Sequence, residues 1–520
     1  MDDEIKPKSA LSFLVDELWI YVLGFLSCTD ILRCTSVCKA LRQTYMSSSE
    51  LQYIVELGGQ CLLPTSNTDD HTPIYKRLQR LRDKAHAWLK FDAYAFQTVI
   101  PSISFSGIQK YITGEHFYMW NYHDNLVAIS PIPSNLLSQR TIEHHWSPRT
   151  LCPFPGAERR IVLMDPAQNL FAIAYTFHGM TYIYLATLDD GCVHPHAAGP
   201  ALVLDTPVYE WETKFQCYGR HIALWREFYT HEVGVLWPSD CVWQLQIWDW
   251  QHSTTLSSVL NIQTTLFTPT SFCFLGNDRL LVVADNLKLY SIKDMSETPR
   301  LLACFLLPFS LVDTEHYHPT MHGSQLRTQA QSMYTSDPEH RLLCLTSWID
   351  KRTICLISTK IFFDIDEVTA ITPIPWNHWG PGHIRVVEQK AAHVSITHVS
   401  GNRVLLADKM MSERHEYYKL RMMDFSPLAV TNRRGLGRVV KERSTVTVAV
   451  QRGPNSEWDD ESKYYYSTVE TALPYVEVLV SDRKISGLLH DVWMDGDRIY
   501  LLDRVVGGTF KPKLEVINIY

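Results

Sequence analysis

The sequence predicts a mostly β chain, with a short N-terminal all-α hairpin followed by a β-propeller of about seven irregular blades over residues 91–520. Three observations lead there. Apolar residues recur at helical spacing only near the N-terminus. A turn followed by an apolar strand then recurs seven times. No sustained helical pattern interrupts those strands, and radial packing of repeated sheets is the architecture that such units complete.

Residues 1–10 form an N-terminal tail and 11–57 the helical module. From Leu14 the chain reads LVDELWIYVLGFLSCTDILRCTSVCKALRQ, with apolar positions at Leu18, Val22, Phe25 and Leu26, then Ile31, Leu32, Val37 and Leu41. This spacing predicts two short amphipathic helices with a break at residues 27–29, where Ser27 and Asp30 form a capping-box-like pair. So short a piece buries too little surface to stand comfortably alone, so it reads as an interaction module.

Residues 58–90 are a linker and a connecting helix. Gly58, Gly59, Asp69, Asp70 and Pro73 supply turn chemistry, so the linker is expected to act as a hinge. Beyond it, Leu78, Leu81, Ala85, Trp88 and Leu89 make one apolar stripe that should dock on the next domain, while Lys76, Arg77, Arg80, Arg82 and Lys84 lie mostly on the opposite face.

In the repeat region, strands start after Asn125, Asn169, His221, Arg279, Arg341, Arg403 and Arg498, at spacings of 44, 52, 58, 62, 62 and 95. Six of them are followed by a second alternating strand, such as Trp243 to Trp250, where Trp243, Leu245 and Ile247 share one face. The widest gap, with Val446, Val448 and Val450, has room for another blade. Six tryptophans (211, 225, 237, 243, 248 and 250) are assigned chiefly to packing between blades.

Composition excludes several functions. The longest uninterrupted apolar run, Leu301 to Phe309, is far below the roughly 20 residues of a membrane span, so no membrane is expected. A net charge of −8 argues against nucleic acid as the main partner. Twelve cysteines without CxxC spacing fit reduced thiols, and the acidic start lacks a secretory pattern, so the expected location is cytoplasm and/or nucleus.

Catalytic constellations are not found in the sequence, so the expectation is no enzyme, no cofactor and no metal. GLGRVV at 435–440 has two glycines of a dinucleotide fingerprint but reads as a turn. His316, His318 and His322 lack a fourth metal ligand nearby, and Asp364, Asp366 and Glu367 read as a solvated strand end. Two candidates remain for binding a target. Trp376 and Trp379, in the proline-rich stretch 372–383, are either rigid interface anchors or packing groups folded onto the propeller. Arg433, Arg434 and Arg438, with Lys441 and Arg443, are either a site for an acidic or phosphorylated ligand or a charged loop.

The N-terminal pattern resembles the F-box motif: Leu14, Val15, Glu17 and Leu18; Val22, Leu23, Phe25 and Leu26; Asp30, Ile31, Leu32 and Arg33; Val37, Cys38, Lys39 and Arg42. Val15 stands where that family usually has proline, and Leu41 where it often has tryptophan. The continuation at 51–57 and 77–92 looks like the segment after the motif in many fungal F-box proteins. The resemblance implies that residues 11–57 bind a Skp-type adaptor and, through it, a cullin. The adaptor-facing residues it carries over are Leu14, Val15, Leu18, Val22, Leu23, Leu26, Ile31 and Leu32. It further implies a substrate-recognition subunit of an SCF ubiquitin ligase whose propeller recruits a target protein; the alternative is an adaptor-bound scaffold acting without ubiquitination.

Overall fold

A computed structural model describes residues 15–64, 72–91, 95–99, 108–113, 116–121, 126–132, 144–146, 158–166, 168–178, 180–204, 213–229, 240–265, 271–309, 314–317, 334–347, 353–365, 372–388, 395–411, 416–431, 435–451, 464–479, 485–486, 488–504 and 513–519. It opens with four short helices, α1 (Asp16–Leu23), α2 (Cys28–Val37), α3 (Lys39–Ser47) and α4 (Ser49–Gly59). The break before α2 lies at 24–27 and not at 27–29, since Cys28 already opens α2; Ser27 is the N-cap, its Oγ accepting from the Asp30 N–H at 3.2 Å. The second predicted helix is two, because Cys38 is extended (φ −151°) and ends α2 before α3 begins. Ser48 caps α4 by accepting from the Leu51 N–H. A short strand β1 (Leu62–Pro64) and the long helix α5 (Ile74–Lys90) follow.

Strand β2 (Ala95–Val99) precedes the blades. Blade 1 is β3 (Ile108–Thr113), β4 (His116–Asn121), β5 (Leu126–Pro131) and β6 (His144–Trp146). Blade 2 is β7 (Glu158–Asp165), β8 (Leu170–Phe177), β9 (Met180–Thr187) and β10 (Ala201–Leu204). Blade 3 is β11 (Thr213–Tyr218), β12 (His221–Tyr229), β13 (Asp240–Asp249) and β14 (Ser257–Thr265). Blade 4 is β15 (Ser271–Phe274), β16 (Arg279–Val283), β17 (Leu287–Ser291) and β18 (Arg300–Phe305). Blade 5 is β19 (Thr314–Tyr317), β21 (Leu342–Ser347), β22 (Thr353–Ser358) and β23 (Ile384–Glu388); within its span lie β20 (Tyr334–Ser336), which pairs with β1, and helix α6 (Trp376–His383). Blade 6 begins with β24 (Ser395–Ser400), β25 (Arg403–Met411) and β26 (Glu416–Asp424). Its fourth strand comes only after an insertion of α7 (Pro427–Val430), β27 (Arg438–Val440) and the hairpin β28 (Ser444–Gln451) and β29 (Tyr464–Thr471). That fourth strand is β30 (Tyr475–Leu479), with β27 on its outer edge and β31 (Ile485–Ser486) against β26. Blade 7 is β32 (Leu488–Met494), β33 (Arg498–Arg504) and β34 (Lys513–Asn518), and its outer strand is β2.

The pairing of β2 with β34 joins the start of the domain to its end, Ala95 opposite Asn518 through Val99 opposite Leu514. A ring that closes by strand pairing leaves no sheet to be completed from outside. The cores show the same closure. Alternate residues of one strand face opposite sides of its sheet: Phe171, Ile173 and Tyr175 of β8 pack with blade 1, while Leu170, Ala172 and Ala174 pack with blade 3. Further layers join blades 3 and 4, 4 and 5, 5 and 6, 6 and 7, and 7 back to 1. Burial on both faces explains why the second strands read as continuous apolar runs. Trp225 and Trp243 fill the layer between blades 3 and 4, and Trp248 and Trp250 that between blades 2 and 3.

Six of the seven repeat starts fall on the second strand of a blade. The first does not: Leu126 opens β5, the third strand of blade 1, and the equivalent second strand is β4 at His116. Among the described residues, the wide gap holds no further blade. Val446 and Val448 lie in the β28–β29 hairpin, which packs with Val469 against the core of blades 4 and 5. Buried Arg385 ties it down, donating to the carbonyls of Leu473 (2.9 Å) and Glu442 (3.1 Å) and to Ser444 Oγ (3.0 Å).

The chain on either side of the expected hinge is anchored to the propeller, at 61–64 and along α5. Trp88 is fully buried among blades 6 and 7 and donates from Nε1 to the Gly496 carbonyl at 3.0 Å. Lys84 pairs with Asp497, β1 pairs with β20, and the Asp337 N–H donates to the Cys61 carbonyl at 3.0 Å. All five residues of the predicted α5 stripe are buried. Among the described residues, no helix is long and apolar enough to cross a membrane.

Candidate functional site

Helix α1 has two apolar faces, and only one is used internally. Leu23 is buried with Ile31, Leu41, Leu51 and Val55, and Trp19 and Ile20 pack against that core. On the other side Val15 is 60% exposed, Leu18 49%, Val22 47% and Phe25 73%, a run at three- and four-residue spacing that forms one stripe. Tyr21, also exposed, lies edge-on to Phe25 with ring centroids 4.9 Å apart. Two more large apolar side chains, Val37 and Met46, are exposed on α2 and α3. Singly exposed apolar residues are ordinary, whereas a contiguous patch rimmed by polar groups marks an interaction surface. The rim is charged: Asp16 and Glu17 stand in the first turn of α1, and Arg33 donates to Asp30 at 3.0 Å. The Ser27 hydrogen bond and then Arg33 hold the Asp30 carboxyl below its ordinary value.

The eight residues assigned to the adaptor therefore divide. Val15, Leu18 and Val22 are exposed on the stripe. Leu23 and Ile31 are not, at 2% and 0% exposure: they are the module's own core and support the surface from beneath. Leu26 and Leu32 are partly buried against that core, and Leu14 lies outside the described residues. The assignment omitted Tyr21, Phe25, Val37 and Met46. For Tyr21 and Phe25 the signal was present, since a three-residue step from Leu18 reaches the first and one from Val22 the second.

The propeller candidates fare differently. Trp379 is 2% exposed, packs on Phe305 at 5.1 Å and donates to the Leu306 carbonyl at 3.3 Å. Trp376 leans on it at 5.4 Å and covers Phe309. The packing alternative thus holds: the tryptophans of α6 seal the outer edge of blades 4 and 5 and do not stand as free anchors. Arg438 is not a free cation either, because its Nε donates to Glu477 Oε2 at 2.9 Å. It ends a charge ladder across blade 6 in which Arg421 lies between Asp408 and Glu477. Arg443 pairs with Glu470. Arg433 and Arg434 lie outside the described residues, as do His318, His322, Asp366 and Glu367. Gly435 and Gly437, at φ +68° and +73°, make the turn expected of GLGRVV.

A cleft of about 510 Å³ lies between the module and α5, lined by Tyr45, Val55 and Glu56 on one side and Arg82, Asp83 and His86 on the other, with Leu428 of α7 at its edge. Arg82 is already engaged there, reaching Glu56 at 3.4 Å and Gln52 at 3.0 Å.

No protein-family model matches the chain, and no curated protein matches it. Similar solved structures include the WD40 domain of SCAP from fission yeast, at 7% identity and TM-score 0.33 over 78% of this chain and 83% of that one. An uncharacterised protein from Listeria monocytogenes gives 10% identity and 0.34 over 78% and 92%. Pyrococcus horikoshii acylaminoacyl peptidase gives 10% and 0.35 over 79% of this chain and 52% of that one. The seven-bladed ring rests on the strand order and the inter-blade cores described above.

Proposed function

We propose that the chain is a substrate receptor of an SCF-type ubiquitin ligase: α1 docks a Skp-type adaptor, and the propeller holds a target protein close to the ligase. The observation that carries this reading is the solvent-facing stripe Val15, Leu18, Val22 and Phe25 on a module whose core is already complete without it. Leu18, Val22 and Phe25 match the F-box pattern, Val15 stands where that pattern usually has proline, and the buried matches Leu23 and Ile31 serve to hold the stripe in shape. Such a receptor acts by proximity and needs no catalytic residue of its own; acylation or transfer chemistry resides in its partners.

The test is affinity purification of the full chain from cells with the cullin active and inhibited. The reading expects adaptor and cullin in both samples, and a partner that carries ubiquitin when the cullin is active and accumulates unmodified under inhibition. Adaptor without any accumulating partner indicates a scaffold, and absence of the adaptor overturns the proposal.

A further inference from the structure

We infer that the helical module and the propeller form one rigid body, so that a protein bound to the α1 stripe is held at a fixed place beside blades 5–7. One attachment point allows a pivot and two allow rotation about the line between them; three that are not collinear leave neither. The structure supplies three. The first is α5 on blades 6 and 7, through the Trp88 bond to the turn at Gly496 and the Lys84–Asp497 pair, with Lys84 also lying 5.1 Å from the Tyr334 ring. The second is the β1–β20 pairing, Leu62 opposite Ser336 and Pro64 opposite Tyr334, extended by the Cys61 carbonyl to Asp337. The third is α4 on α7, where Gly59 lies against Leu428 so closely that a Cβ there would sit 3.1 Å from the leucine side chain. Between these, Tyr53 and Leu57 of α4 pack on Leu78 and Leu81 of α5, joining the module to the first attachment.

All three lie on connections between first and second or third and fourth strands of blades 5, 6 and 7, which is one end of the propeller. Domains joined by a plain linker move relative to each other by default, and it is the buried, hydrogen-bonded seam that removes this freedom.

The identity of the bound protein rests on the proposed function; the rigidity does not. Spin labels carried on non-natural residues at Ser36 of α2 and Lys293 of blade 4 report the distance between module and propeller, with Lys293 and Lys419 as an internal propeller control. Both ends are exposed in each pair. The expected result is a single distance peak as narrow as the control and unmoved by adaptor. A broad or two-peaked distribution overturns the inference. A narrow peak in a chain that binds no adaptor leaves the inference standing and removes the proposed function, while a broad peak with intact adaptor binding does the reverse.

Discussion

Replacing Trp88 measures how strongly the connecting helix is built into the propeller. Its indole is fully buried, sits 6.5 Å edge-on from Phe91, lies 5.1 Å from the Arg403 guanidinium and donates to the Gly496 carbonyl at 3.0 Å. Truncation of a buried tryptophan to alanine costs about 3–5 kcal/mol through lost burial and the cavity left behind. The hydrogen bond adds about 1 kcal/mol and the cation–π contact about 0.5–1. Trp88→Ala should therefore cost about 5 kcal/mol. Trp88→Phe keeps most of the apolar area but loses the N–H and the larger ring, so it should cost about 2 kcal/mol. Urea unfolding followed by tryptophan-independent far-UV dichroism reads both. If Trp88→Ala costs less than about 1 kcal/mol, the buried seam between α5 and blades 6 and 7 does not exist in solution.

Three other outcomes follow from particular contacts. Leu18→Ser with Phe25→Ser should leave unfolding nearly unchanged, because both side chains are largely solvent-exposed already, while adaptor affinity falls about 30-fold or more per anchor; Ile31→Ala, at 0% exposure, should instead destabilise the module by about 2–4 kcal/mol. Arg385→Met removes the donors to Leu473, Glu442 and Ser444 and should cost about 3 kcal/mol, read as faster amide exchange in residues 444–451 than in blades 1–3. Burial raises the Asp495 carboxyl above its ordinary value despite the Tyr500 hydroxyl donating at 2.7 Å, so the folded state holds its proton more tightly than the unfolded state. The associated stability is present below the ordinary carboxyl value of 3.8 and is lost as pH rises through the raised one. Asp495→Asn should thus gain on the wild type across that window in denaturation series at stepped pH; a difference that is flat with pH refutes the assignment.

Much of the fold was legible because a repeat announces itself at the strand buried on both faces. The second strands after Asn169, His221, Arg279, Arg341, Arg403 and Arg498 are continuous apolar runs, and their six starts, with the one after Asn125, give the count of seven. Blade 1 misled because β4, HFYMWN, mixes aromatic and polar residues, so the more uniform third strand, LVAISP, stood out instead. The β28–β29 hairpin carries the same alternation as a blade strand, and only its packing against Val386 and Trp379 distinguishes an insertion from a further sheet. The linker shows the same limit: turn residues between 58 and 73 say that the chain bends, but not that Cys61, Leu62 and Trp88 are held on either side of the bend.

The site was legible in part. Helical spacing locates the residues of α1, but it does not say which of two apolar faces the module keeps for itself. That choice depends on where α2, α3 and α4 pack, which places Leu23 and Ile31 inside and Tyr21 and Phe25 outside. The two tryptophans of α6 read equally well as anchors or as packing until Phe305 and Phe309 are seen beneath them. Arg438 looked like part of a basic cluster because Glu477, its partner, is distant in sequence.

The central claim is that the α1 stripe binds a Skp-type adaptor, and isothermal titration of the purified full chain with purified adaptor tests it most directly. The account predicts a one-to-one complex with a negative heat-capacity change, the mark of buried apolar surface, and a severe loss of affinity in Leu18→Ser/Phe25→Ser at unchanged stability. No binding, or equal binding by wild type and the folded double variant, would contradict it.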